Sequence, residues 1–374
     1  MKLHPLLIFL LLTTLAGFFS GLILPQLLPL RPAPPLHLVF ALGIMPLIMG
    51  AMTYFVPVLT RTRTAEPLAL APALLALGAG LLLSFSLFFS FSLYPFAALI
   101  GLVAALWLSL WMQRRKRQTL GRPHPGLLWY QLALLALILG LLAILAGQLL
   151  PEYWSAFRRL HLHLNLLGFV GLTALGTLRV LLPTTGGYAD PGAGTWLMRQ
   201  WPWAAAGTLL VAAGSVGSPP LALLGLLLWL PPLGRLLHSL LVTHRQAVWH
   251  LHGATISLAG AVLGLLILLL SGALHALDPP AGAATTQAFI PLFLLPLVTG
   301  AATHLLPLWI TGAADREREQ VLRARLGRYS ALRAALFLSG GLFILAGQGW
   351  GLIPVLLGLL HFFLAVLFSL FAKS

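Results

Sequence analysis

Apolar runs of about 20 residues recur along the whole chain, separated by short segments rich in Pro, Gly and Arg. A helix of about 20 residues spans the hydrocarbon core of a bilayer, where no water can satisfy an open backbone. Twelve such runs can be drawn, at 5–28, 37–59, 67–90, 94–112, 127–150, 161–182, 196–217, 219–241, 250–274, 287–310, 329–348 and 350–371. The pattern predicts an all-α polytopic membrane protein of about 12 transmembrane helices, forming a single membrane domain over residues 1–374.

A repeat runs through these spans. Gly50, Gly176 and Gly300 are each followed seven residues later by a proline, Pro57, Pro183 and Pro307. The glycines stand 126 and 124 residues apart, about a third of the chain. Pro46-Leu47, Gly50-Ala51, Thr53 and Pro57 match Pro296-Leu297, Gly300-Ala301, Thr303 and Pro307. This predicts three pseudo-repeats of four helices, about 1–124, 125–249 and 250–374, in one orientation. Thirteen residues before each glycine stand His37, His163 and Gln287. The apolar N-terminus could pass for a signal peptide, but the repeat needs it as a span.

Composition agrees. The chain is 59% hydrophobic and 8% charged, where a soluble domain carries about 25% charged residues. Its net charge of +15 could suggest nucleic acid, yet the basic residues sit in the loops and read as topology signals. No nucleic-acid partner is expected; the lipid bilayer is. With the N-terminus inside, all but Arg31, Arg158 and Arg159 of the 22 Lys and Arg (22 − 3 = 19) fall on the inner side. The prediction is a multi-pass protein of a bacterial-type inner (plasma) membrane, both termini cytoplasmic. The absence of cysteine excludes thiolate-bound copper, iron–sulfur clusters and CxxCH haem attachment. All seven acidic residues fall in loops or at span ends, which argues against a carboxylate-driven proton pump or cation antiporter.

Histidine is then the side chain left for metal or haem chemistry. His37 and His163 open spans at matching depth on helices that the repeat equates. Arg31 lies six residues before His37, and Arg158 and Arg159 lead into the His161-x-His163 pair. Arginines at a membrane surface suit the paired carboxylates of haem propionates; lipid headgroup contact is the plainer use. Positions i and i+2 lie about 200° apart on a helix, so His161 and His163 face nearly opposite ways. The expectation is that His37 and His163 are axial ligands of one low-spin haem b, with His161 serving a second centre, a haem or a copper. Gly43, Gly50, Gly168 and Gly176 would admit a flat macrocycle or, equally, a packed helix. His4, His124 and His252 read as helix-start residues and His304 as a structural hydrogen-bonder. His361 is a reserve ligand near mid-membrane, Arg179 a snorkelling or inward-facing cation. His250 has no assigned role.

Two stretches resemble the haem–copper oxidase catalytic subunit (subunit I) superfamily, most closely its C-type members and the NnrS proteins. Arg31-Pro32, His37, Phe40-Ala41, Gly43, Tyr54-Phe55-Val56 and Arg61-Thr62 resemble that family's second span. His161-x-His163, Leu167-Gly168-Phe169, Gly176 and Pro183 resemble its His-x-His span. The resemblance implies twelve spans in three arcs, one or two haems b, and oxidoreductase chemistry with O2 or NO. It also implies a quinol or cytochrome electron donor and further subunits. The chain departs from the family in placing His-x-His on span 6 and in lacking a His-His pair and His-x-x-x-Tyr, so a full copper site is not visible. Two rival classes stand beside it: a cofactor-free transporter, and an assembly or scaffold subunit with a degenerate oxidase fold.

Overall fold

A computed structural model describes residues 3–277, 282–312 and 315–371, and no strand occurs among them. Of the seven acidic residues, Asp278 lies outside the described residues. The long helices are α1 (Leu3–Leu27), α2 (Ala33–Thr60), α3 (Pro67–Phe89), α4 (Phe91–Arg117), α5 (Gly126–Leu149) and α6 (Pro151–Gly186). They continue as α7 (Ala193–Gly214), α8 (Pro219–Thr243), α9 (Thr255–Leu277), α10 (Gly282–Thr311), α11 (Arg316–Leu345) and α12 (Gly349–Phe371). Among the described residues 11 of these are long and apolar enough to cross a membrane. The chain is an all-α, multi-pass integral membrane protein. Helix α7 falls short because Arg199 and Gln200, set among tryptophans, dilute its apolar run.

The two helices that carry the candidate histidines, α2 and α6, start earlier than the apolar pattern suggests. Helix α6 begins at Pro151 and runs 36 residues, about 54 Å at 1.5 Å per residue, against a hydrocarbon core of about 30 Å. The segment Trp154–His163 is amphipathic and extends the helix outward. His161 and His163 therefore sit inside the helix rather than opening it, and His37 sits one turn into α2.

Helices α2, α6 and α10 each contain a π-helical stretch, Leu38–Ile44, Leu164–Leu172 and Ile290–Leu294. Their starts are 126 residues apart in both intervals (38, 164, 290). A π turn inserts a residue and rotates the side chains beyond it about the helix axis.

Contacts divide the chain into two compact units, Met1–Gly176 with Gly194–Gly225 and Thr177–Ala193 with Leu226–Ser374. In the first unit glycines set the helix spacing, since in lipid helices associate through close van der Waals packing. A Cβ on Gly17 would meet the Leu38 carbonyl oxygen at 2.5 Å, and one on Gly140 would meet Asn165 Nδ2 at 2.7 Å. Gly50 faces Leu10, and Gly176 faces Trp129 at 2.6 Å. Trp129 is fully buried, stacks on Trp196 and donates from Nε1 to Leu197 O (3.1 Å). Gly43 and Gly168 likewise abut Thr14 and Ala136.

In the second unit Gly264 abuts the Leu292 backbone and Gly300 faces Leu258 at 2.9 Å. Arg179 is not snorkelling: it is buried and ion-paired with Asp190. Between them in sequence, Tyr188 stacks on His244 (4.0 Å between centroids). Burial, then the Asp190 charge, push the Tyr188 phenol up to about 12, so it stays protonated at neutral pH. His252 Nδ1 accepts the Tyr329 N–H (3.0 Å) and His124 Nδ1 that of Gly126 (3.1 Å), so both work at helix entries.

The Arg179–Asp190 pair gives a direct test. Removing one partner of a buried pair leaves an uncompensated charge and costs about 3–5 kcal/mol. Asp190→Asn should lower the midpoint of thermal unfolding in detergent by several degrees, and Asp190→Glu should restore much of it.

Candidate functional site

The first unit contains a cleft lined by α2, α3, α4, α5 and α6. From α2 come Ala33, Leu36, His37, Phe40, Ala41 and Ile44, a stripe at helical spacing. From α6 come Trp154, Arg158, His161, Leu162, Asn165 and Phe169, again one stripe. Leucines, alanines and Tyr94 from the other three helices complete a mostly apolar wall.

Two imidazoles face each other in this cleft, His37 from α2 and His161 from α6. Their ring centroids are 6.3 Å apart and their planes differ by 17°. Both are half-buried, their open surface forming cleft wall. Each ring is fixed through Nδ1. His37 Nδ1–H donates to Ala33 O (2.7 Å) and His161 Nδ1–H to Gly140 O (2.9 Å). A carbonyl can only accept, so Nδ1 carries the proton and Nε2 carries the lone pair. Metal-binding histidines are held in this way, the second nitrogen donating to a carbonyl or carboxylate.

The spacing has a chemical meaning. A metal–imidazole bond is about 2 Å, so two rings at this separation leave room for one metal ion that both could hold. Direct contact between the rings would bring them closer.

The sequence paired His37 with His163; the structure brings His37 and His161 together instead. His163 is not part of the cleft wall, and its Nδ1–H donates to Arg159 O (2.9 Å). The 200° argument holds, since both histidines precede the π stretch, but it does not say which one turns toward α2. Of the three arginines, Arg158 lines the cleft. Arg159 donates to Val216 O (3.4 Å), and Arg31 is exposed.

Three contributors were missed. Gly140 brings α5 and α6 close enough for its carbonyl to take the His161 proton. Asn165 Nδ2 donates to the His161 carbonyl (2.7 Å). Tyr94 donates to Gln148 beside Trp154. One signal was available: Arg158, His161 and Asn165 are polar positions at i, i+3 and i+7, on one face of α6.

The other histidines lie elsewhere. His304 is buried in α10, His361 Nδ1 accepts from Arg333 (3.5 Å), and His250 is exposed. Among the described residues no cluster of three or more His, Cys, Asp or Glu could hold a metal ion. No protein-family model matches the chain, and no curated protein matches it in sequence.

Gly140→Val should force α5 from α6 and cost about 1–3 kcal/mol, the usual penalty of overpacking. Thermal unfolding in detergent would show it, with Gly78→Val, whose Cβ meets nothing within 4 Å, near the unmodified protein.

Proposed function

We propose that the protein is a haem b-binding integral membrane redox protein, with the iron held between His37 and His161. One observation carries this reading: two near-parallel imidazoles at single-metal spacing, each with its Nδ1 proton tied to a carbonyl. Held by both histidines, the group would supply one-electron transfer. The chain's own part is to present two Nε2 lone pairs, fix both ring planes, and exclude water with an apolar wall. Arg158, exposed on the cleft's edge, is the cation suited to a propionate.

The donors fit; the volume constrains. The cleft holds about 200 Å³, below the roughly 300–1,000 Å³ of most ligand pockets. A porphyrin would enter only if side chains such as Leu36, Phe40 and Leu83 turned aside. The small volume favours a second reading, in which the same two histidines would hold a copper ion.

The architecture proposed is three four-helix repeats within one membrane domain, with both termini cytoplasmic in an inner membrane. The equal spacing of the π stretches in α2, α6 and α10 supports it, as do Gly50, Gly176 and Gly300, which seat side chains from α1, α5 and α9 respectively. The likeness to haem–copper oxidase catalytic subunits and NnrS proteins adds a quinol or cytochrome donor and further subunits to the proposal.

Absorbance of the purified protein should show a Soret band with reducible α and β bands, and a pyridine haemochrome assay should return haem b. His37→Ala and His161→Ala should each abolish the low-spin spectrum, and His163→Ala should leave it in place. Bound copper without haem would select the second reading. Neither haem nor copper, or a spectrum lost only in His163→Ala, would overturn the pairing.

A further inference from the structure

A second hollow in the first unit, a groove of about 500 Å³, runs along the flank of α4. Val103, Leu106, Trp107, Leu110, Trp111 and Arg114 line it at i, i+3, i+4, i+7, i+8 and i+11, a single stripe of the helix. The start of α3 supplies the opposite wall. From Val103 to Arg114 the stripe is about 16 Å long, about half the roughly 30 Å hydrocarbon thickness. That is the reach of one acyl chain in one leaflet.

The polar end is built differently from the rest. Helix α4 closes on Arg114, Arg115, Lys116 and Arg117. Arg115 is already occupied: it is buried, ion-paired with Glu66 (2.8 Å), bonded to Arg63 O (3.1 Å) and stacked over Trp111. Arg114, Lys116 and Arg117 are exposed. Glu66, the carboxylate lining the groove, is matched by Arg115. Trp111 also lines the groove and is itself buried, 8% exposed.

We infer that this groove is a binding site for an anionic phospholipid. One acyl chain lies along the α4 stripe, and the phosphate meets Arg114 and its exposed basic neighbours. This inference does not rest on the redox reading. Clusters of exposed Lys and Arg at a membrane surface select anionic headgroups, each residue contributing about fivefold in partition.

The test uses the full chain in phosphatidylcholine vesicles carrying either acyl-brominated phosphatidylglycerol or, at equal mole fraction, acyl-brominated phosphatidylcholine. With 11 tryptophans in the chain, the groove signal is the difference between the protein and its Trp107→Phe variant. Phosphatidylglycerol should quench that signal more strongly. Arg114→Gln should reduce the preference about fivefold, with Lys116→Gln and Arg117→Gln adding to the loss. Arg235→Gln, on another helix, should leave it unchanged. Equal quenching by both lipids would overturn the inference. So would a preference that survives all three α4 substitutions, or one that falls equally with Arg235→Gln.

Discussion

The placing of His161 in the imidazole cleft depends on how closely α5 and α6 approach at Gly140. With no side chain there, Asn165 and Leu164 sit against the α5 backbone, and the Gly140 carbonyl is left within reach of a ring on the next helix. Elsewhere in an α-helix that carbonyl would serve only the N–H four residues on. Here it also takes the Nδ1 proton of His161. One small residue thus decides the tautomer of a histidine from a different helix. The same device recurs at Gly17 and Gly264, which meet the π stretches of α2 and α10, but neither of those contacts seats a histidine.

A bilayer interior makes such arrangements both costly and durable. A buried polar group in lipid must find its partner within the protein. The chain meets that demand in three ways. His37 and His161 give their protons to carbonyls and face each other across an apolar cleft. Arg179 pairs with Asp190. Arg115 uses Glu66 and two loop carbonyls. The demand is not met everywhere: the buried indole N–H groups of Trp111 and Trp229 have no hydrogen-bond partner among the described residues.

The sequence carried the membrane class and nearly all the spans, because twenty-residue apolar runs leave little choice of structure. It also marked His37, His161 and Arg158 as unusual, since polar residues are conspicuous on apolar helices. It did not reveal which histidine of the His-x-His pair turns toward α2. That depends on the rotation of α6 about its axis, which is set by its contacts with α5 at Gly140 and Gly168. Nor could it place the start of α6, because Trp154–His163 is amphipathic and a hydropathy reading stops where polarity begins. Arg179 was legible as a cation near a boundary, but its partner Asp190 lies eleven residues on, past a turn.

The central claim is that one metal centre joins His37 to His161 with nearly parallel ring planes. Electron paramagnetic resonance of the oxidised protein tests it most directly, because the angle between axial imidazole planes sets the rhombicity of a low-spin ferric signal. Planes 17° apart predict a rhombic low-spin spectrum that disappears in both His37→Ala and His161→Ala. A low-spin signal that persists in either variant, or a ferric centre that is high-spin in the unaltered protein, would contradict the account.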